Sequence, residues 1–421
     1  MMFGVNKIRI VQIVILLLFL ATFACRTQSV ISDKNLSVIY DNSGKLNVEN
    51  QAYHISDDST LFFLRVSAKN LLYTNENGTF SAGFRVKLLL YDVVNLSLLV
   101  DSASTVLNLI RNENDSTFEV EIQLATPAGK KYFLQTIVYD LNRSINKSAY
   151  LDIDKMSVNS PQNFIFKNVR SNQLLFGSVA QANEPFRIES IRNKGKLFYL
   201  SYYNRNYQYS SPPFAINQHE LISFDPDSIF SSDGKTVALE KKGFYQIRTD
   251  KTQRSGATLF IFHDDYPNLS RPDQLLKPLR FLTTQAEYKN IIGSLDQKTQ
   301  IDNFWINAAG NNRERAKKII KIFYNNVQEA NIYFTSYKEG WKTDRGMIYL
   351  IYGKPDLVKR TAKTETWTYR KSFYYNTVIF VFNKTGNYFS DNDYYLDRSP
   401  EYRESWYVEV ENWRKGYLKQ Q

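Results

Sequence analysis

Cysteine is almost missing from this chain of 421 residues: there is one, Cys25, alongside three histidines. A disulfide framework within the chain and a Cys/His zinc site are both excluded. Glycine and proline are sparse, at 17 and 11 residues, so long flexible linkers are not expected. There is no Gly-x-Ser-x-Gly elbow and no His-Glu-x-x-His run, and His54, His219 and His263 are scattered. The local signatures of an α/β-hydrolase nucleophile and of a zincin are therefore absent. Gly234-Lys-Thr236 ends like a phosphate-binding loop, but Ile229 stands where that loop needs glycine. Asp225-Pro-Asp227 begins like a calcium loop and then continues as Ser228-Ile229-Phe230, where further oxygen ligands and a glycine are required. No catalytic residue, metal or cofactor is expected.

Aromatic residues, by contrast, reach 15%, with 29 Tyr and 28 Phe. These side chains suit a pleated, half-buried surface, so the composition favours strands. Hydrophobic content of 43% and charged content of 23% are ordinary for a globular chain. At roughly 150 residues per domain, the length suggests two to four domains.

Residues 1–24 have the order of an export signal. Lys7 and Arg9 precede the uncharged run Ile13 to Leu20, and the small residue Ala24 precedes Cys25. The run is short for a membrane span, which takes about 20 residues. Thr22-Phe23-Ala24-Cys25 resembles a bacterial lipobox, although leucine is usual at the position of Thr22. That resemblance implies lipidation of Cys25, with the membrane as a partner through an N-terminal lipid anchor. Removing residues 1–24 takes away Lys7 and Arg9 and no acid, so the net charge falls from +11 to +9. For an exported protein this points to acidic partners in the envelope and not to nucleic acid. The densest basic cluster, Arg313, Arg315, Lys317, Lys318 and Lys321, reads as the solvated face of a helix.

The remaining chain divides by pattern into a polar tether over 25–35, a β-sandwich-like domain over 36–156, a second β-rich domain over 157–264, and a helical and α+β region over 270–421. Ser37–Tyr40, Leu61–Val66, Phe84–Tyr91, Phe118–Leu124 and Tyr132–Tyr139 are strand candidates in the first domain. Phe118, Val120, Ile122 and Leu124 share one face. Turn signals at Asn42-Ser-Gly44, Asn75–Gly78, Asn112–Asp115 and Pro127–Gly129 separate these runs. Asn163–Phe166, Lys196–Tyr203, Gly243–Arg248 and Ala257–Phe262 repeat the style in the second domain. From about 270 the period becomes helical, with helices expected near 283–293, 297–308 and 312–335. In the last of these, Ala316, Ile320, Phe323, Val327, Ala330 and Phe334 form one apolar stripe. The expected fold is multidomain, with two all-β sandwich-like domains followed by a C-terminal α+β domain of helices on an antiparallel sheet.

After the long helix the chain reads Gly340-Trp341-Lys342-Thr343-Asp344-Arg345-Gly346. Met347–Tyr352 then reads as a buried strand, followed by a Gly353-Lys-Pro355-Asp356 turn and strands at Glu365–Tyr369 and Val378–Phe382. Asn383–Gly386 reads as a hairpin turn, with Tyr388-Phe389 starting the return. These residues resemble the bacterial GWxTD domain, which they match at Gly340, Trp341, Thr343 and Asp344. Arg345, Gly346, Pro355, Asp356 and Trp367 extend the likeness, which covers roughly 270–400. Members of that family occur in envelopes of Bacteroidetes-like bacteria, so the resemblance implies architecture and compartment and no particular reaction. Each motif residue has a structural task available. Gly340 can take a positive φ at the helix exit, and Trp341 can bury its ring. Thr343 and Asp344 can bond turn amides, Arg345 can pair with Asp344 or Asp356, and Gly346 can admit a close neighbour. The alternative is that Trp341, Asp344, Arg345 and Asp356 line a ligand pocket.

Tyr199, Tyr202, Tyr203, Tyr207 and Tyr209 crowd into eleven residues. On a strand they could form an exposed platform for glycan or peptide, against the plainer reading of an aromatic sheet edge. Taken together, the expectation is a non-enzymatic, lipid-anchored protein of the cell envelope, at the outer membrane facing the periplasm. Its C-terminal domain would dock to an envelope protein, in an outer-membrane or secretion assembly. A glycan- or peptidoglycan-binding lipoprotein is the first alternative, and an enzyme with an unfamiliar C-terminal site the second.

Overall fold

A computed structural model describes residues 35–40, 46–94, 98–111, 117–143, 145–157, 159–204, 207–216, 223–370 and 377–417. The signal sequence, Cys25, His219 and the turns at Asn42–Gly44 and Asn112–Asp115 lie outside these residues. Among the described residues no helix is long and apolar enough to cross a membrane.

Alternating sequence in the first region builds antiparallel sheets. Strands β1 (Val48–His54), β2 (Ser59–Ser67) and β6 (Thr117–Ala125) form one, in the order β1-β2-β6. The other follows the order β3-β4-β7-β8, from β3 (Thr74–Glu76), β4 (Thr79–Asp92), β7 (Lys131–Asp140) and β8 (Ile145–Asp154), with β5 (Leu99–Ile110) also paired to β4. Phe62, Leu64 and Val66 of β2 share one core with Phe84, Val86, Leu88 and Leu90 of β4. This is the face-to-face burial of a sandwich. Phe118, Val120, Ile122 and Leu124 all reach that core, as their alternation predicts. At the β3–β4 turn, Asn77 and Gly78 have φ of 52° and 86°, the left-handed pair a tight hairpin needs.

The second region contains the pair β9 (Ile165–Asn168) and β10 (Phe186–Glu189). It also contains a four-stranded sheet ordered β12-β11-β13-β14, from β11 (Phe198–Tyr203), β12 (Ser228–Ser232), β13 (Gly243–Arg248) and β14 (Ala257–Ile261). Its core joins Phe186, Ile188, Leu200, Tyr202, Ile247 and Leu259.

The C-terminal region opens with helices α1 (Pro272–Leu275), α2 (Gln285–Gly293), α3 (Gln297–Ala308) and α4 (Arg313–Phe334). Side-chain caps start three of them: Thr284 for α2, Asp296 for α3 and Asn312 for α4. Helix α5 (Asp344–Tyr352) follows. Strands β15 (Leu357–Arg360), β16 (Thr364–Tyr369), β17 (Val378–Lys384) and β18 (Tyr394–Leu396) then form an antiparallel sheet in sequential order, and α6 (Tyr402–Arg414) closes the region. Helices and sheet share a core that includes Phe323, Phe334, Trp341, Ile348, Trp367 and Phe382.

Four local expectations are corrected. Met347–Tyr352 is helical, not a strand. The run is apolar all round because α5 is buried on every side, and such a run has no period to distinguish helix from strand. Ser37–Tyr40 belongs to a 3₁₀ helix, Leu36–Tyr40, whose Leu36 and Tyr40 join the C-terminal core. The strand returning along β17 is Tyr394–Leu396 and not Tyr388-Phe389. The α4 stripe passes through Ile319, which is fully buried, while Ile320 flanks it.

Candidate functional site

The motif is built on two glycines that let three backbones meet. A Cβ at Gly340 would lie 1.9 Å from the Ala330 carbonyl oxygen of α4, and one at Gly346 would lie 1.9 Å from the Gly340 carbonyl oxygen. Close approach, not a left-handed helix cap, requires Gly340, which is absent from the positive-φ residues. Thr343 is the N-cap of α5. Its Oγ1 accepts from the Gly346 amide at 3.0 Å and donates to the Gly340 carbonyl at 2.7 Å. Trp341 is 1% exposed. Its backbone amide donates to Asn331 Oδ1 at 3.2 Å, and its ring packs near Phe281 and Tyr209.

Asp344 and Arg345 do not pair with each other, and Arg345 does not reach Asp356. Asp344 Oδ2 accepts from the Leu396 amide at 2.7 Å and from Arg398 Nη1 at 3.0 Å, and Arg398 Nη2 donates to its other oxygen. Arg345, 2% exposed, donates from Nη2 to the Asn392 carbonyl at 2.9 Å and also to its side-chain oxygen. Asn392 in turn donates to the Tyr333 and Thr335 carbonyls at the end of α4, at 2.9 and 3.0 Å. The Arg345 guanidinium lies 4.0 Å above the Tyr394 ring, a cation–π contact.

The centre of the arrangement is Glu365, fully buried on β16. Its Oε2 accepts from Arg360 Nη2 at 2.7 Å and from Arg345 Nη1 at 3.4 Å. Its Oε1 accepts from the Trp367 indole at 2.7 Å and from the Tyr40 hydroxyl. Burial, the largest single influence, pushes this carboxyl upward. The charges of Arg360 and Arg345 and the bonds from Tyr40 and Trp367 together outweigh burial and bring its pKa down to about 2. A carboxylate held this way is a fixed charge, not a proton donor near neutrality.

The segment Asn35–Tyr40 therefore belongs to the C-terminal region by contact. Asn35 Nδ2 donates to the Asp356 carbonyl at 2.8 Å, and the Val358 amide donates to Asn35 Oδ1 at 3.0 Å. The Tyr349 hydroxyl, which donates to Glu329 Oε2 at 2.6 Å, lies 3.3 Å from the Tyr40 carbonyl oxygen. Pro355 is buried in the turn before β15, and Asp356 is exposed, with its carboxylate accepting from the Arg370 amide at 2.6 Å. Asp344, Arg345 and Asp356 thus spend their polar groups on three separate internal partners and do not converge on one pocket.

The tyrosine cluster is not an exposed platform. Tyr202 and Tyr203 are neighbours on β11 and point to opposite faces. Tyr202 enters the sheet core beside Tyr245, while Tyr203 stacks on Phe244 and meets Phe389. Tyr207 is buried against Tyr337. Tyr199 and Tyr209 are half-buried, and Tyr209 accepts from Arg280 Nε at 3.1 Å. The chain just beyond the cluster docks onto the motif. The Ser210 amide and hydroxyl both donate to the Lys342 carbonyl at 3.0 Å, and Arg398 Nη2 donates to the Ser211 carbonyl at 3.2 Å.

Glu365, Arg360, Asn392, Arg398 and Tyr40 were not foreseen as site residues. Glu365 did carry a signal. It is an acid in phase with Trp367 and Tyr369 along an alternating strand, so the sheet had to bury it. Asn392, Arg398 and Tyr40 sit in irregular or distant segments and have no local signature.

Comparison with known proteins bears on the C-terminal region alone. The model of the GWxTD domain matches residues 243–415, so the match begins at β13, earlier than the motif context suggests. No curated protein matches the chain. Among solved structures, Bacteroides uniformis β-glucuronidase 2 bound to cyclophellitol-6-carboxylate aziridine is 12% identical, over 31% of this chain and 14% of that one, with a TM-score of 0.19. A calcium-binding mutant of the same enzyme is 9% identical, over 32% of this chain and 16% of that one, also at 0.19. A C-terminal fragment of intimin in complex with its translocated receptor is 11% identical, over 83% of this chain and 97% of that one, at 0.14. This chain spans about one sixth of the glucuronidase chains or less, and at these TM-scores the likenesses carry no inference. What the motif, its buried context and the family match establish together is that this chain carries a GWxTD domain at residues 243–415.

Proposed function

We propose that the protein is a lipid-anchored cell-envelope module that works by holding and presenting an interaction surface, and that its GWxTD motif is architectural. The observation behind this reading is that Thr343, Asp344 and Arg345 are buried and commit their polar groups to internal partners. A reacting site needs such groups free to meet a substrate. Lipidation at Cys25 and a place at the outer membrane facing the periplasm complete the proposal, and both rest on the N-terminal sequence.

The contacts of Asn35 and Tyr40 add an orientation. Asn35 lies ten positions after Cys25, and a fully extended chain of ten residue steps reaches ~35 Å. An anchor at Cys25 would therefore keep the GWxTD domain close to the bilayer, although that domain is last in the sequence. The partner of this module is a second envelope protein. Crosslinking in intact cells, followed by mass spectrometry of what is retained with the tagged protein, tests this. A reproducible envelope protein crosslinked within 270–421 supports it. Co-purifying glycan with no protein partner would replace it with the glycan-binding reading.

A further inference from the structure

Where β13 and β14 meet the turn before the motif, the surface folds into a cavity of about 320 Å³ lined by His263, Phe262, Leu269, Glu339 and Trp341, among others. The His263 side chain is 9% exposed, and neither ring nitrogen has a hydrogen-bond partner among the described residues. Glu339 Oε1 stands 4.0 Å from Nε2, too far for a bond, and Glu339 Oε2 is held by Lys342 at 2.5 Å. Buried polar atoms nearly always find a partner, so an imidazole facing a cavity with both nitrogens unsatisfied calls for one that the described residues do not supply.

The charge of the wall says which kind. Among the described residues, Lys242, Arg271, Lys277, Lys338 and Lys342 stand against two acids, Asp273 and Glu339. Arg271 is paired with Asp273 and Lys342 with Glu339. Lys242 and Lys277 are exposed at the rim. Phe262 and Leu269 supply an apolar side, and the volume lies at the lower end of the roughly 300–1,000 Å³ usual for ligand sites.

We propose that this cavity binds a small organic anion, a carboxylate with an apolar body. Lys242 and Lys277 meet its charge, His263 donates a hydrogen bond to it, and the body lies against Phe262 and Leu269. Burial, the leading influence, lowers the His263 pKa and so favours the neutral ring, which keeps one N–H to donate. A bound carboxylate would raise that pKa. This site is separate from the motif's buried polar network and does not depend on the interaction-module reading.

The chain has only three histidines, so ¹³C-histidine labelling of the full chain gives a three-line imidazole spectrum. The His263 line is identified by its loss in His263→Gln. Benzoate is the probe, with inorganic phosphate as the comparison. The expected result is a saturable shift of the His263 line with benzoate, together with a rise in its titration midpoint. The line of His54, which is bonded to Thr60 and to the Asp154 carbonyl, should not move. Lys242→Ala combined with Lys277→Ala should weaken benzoate at least tenfold with an unchanged Tm. No response to benzoate, or one that the double variant leaves intact, overturns the proposal. An equal response to phosphate overturns the assignment to an apolar-bodied carboxylate.

Discussion

The Tyr40 hydroxyl donates to the Glu365 carboxylate across 325 residues of sequence. One hydrogen bond thus ties the first described segment of the chain to the buried charge at the centre of its last domain. Tyr40 is 2% exposed, and its ring sits 5.2 to 5.4 Å from those of Tyr333, Phe334 and Trp367. The N-terminal segment is therefore a strap over the GWxTD domain and part of its core.

Removing the strap's contacts should destabilise a domain hundreds of residues away. Tyr40→Phe deletes one bond to a buried carboxylate and should cost about 1–3 kcal/mol. Tyr40→Ala also empties the ring's site and should cost about 3–5 kcal/mol. All five tryptophans lie between Trp305 and Trp413, so tryptophan fluorescence in urea reports this domain alone. A midpoint unmoved by Tyr40→Ala would show that the strap is not part of the folded unit.

The Glu365 carboxyl has a pKa near 4.5 in the unfolded chain and about 2 in the folded one. Between those values the unfolded state binds more protons, so the stabilisation is present above about pH 4.5 and is lost as pH falls towards 2. Its full size is of the order of 3 kcal/mol. Glu287, paired with Arg414 and also lowered to about 2, titrates in the same window. It is 40% exposed, so its share is discounted for solvent screening. Glu365→Gln should flatten much of the acid limb of the stability curve. At neutral pH it should cost about 3–5 kcal/mol, because Arg345 and Arg360 are left without their buried counter-charge. Urea midpoints measured from pH 2.5 to 7 check both effects, and an acid limb unchanged in Glu365→Gln would refute the assignment.

Gly340→Ala and Gly346→Ala each drive a methyl group into a carbonyl oxygen that no side-chain rotation can move. Each should cost ~3 kcal/mol or more, at the upper end of overpacking effects. Gly386→Ala, whose Cβ would have nothing within 4 Å, is the control. Thermal unfolding distinguishes them; equal Tm values for all three would mean that the helices can separate without penalty.

Cys25→Ser tests the anchor. If Cys25 is lipidated, the variant should move from the membrane to the soluble fraction on cell fractionation, because the acyl chains supply the binding. Retention at the membrane would argue for an uncleaved apolar segment instead.

Much of the fold was legible where the period was clean. Phe118–Leu124 alternates, and β6 lies over Thr117–Ala125. The stripe from Ala316 to Phe334 steps by threes and fours, and α4 spans Arg313–Phe334. Where the pattern saturates, the reading failed. Met347–Tyr352 is uniformly apolar, and only its ends identify it as helix: the Thr343 cap before it and Gly353, at φ 74°, after it. The tyrosine cluster failed differently. Composition shows five rings close in sequence, but strand geometry sends Tyr202 and Tyr203 into two different cores.

The sequence by itself determined the strand and helix periods, the motif with its two small residues, and the order of β-rich and helical regions, because these depend on near neighbours. The tertiary structure alone decided that Arg345 pairs with Glu365, that Asp344 pairs with Arg398, and that Tyr40 closes the far domain. A buried charge must take whichever partner the packed chain brings within hydrogen-bond reach. That partner is set by how helices and sheet stack, and sequence separation does not limit it.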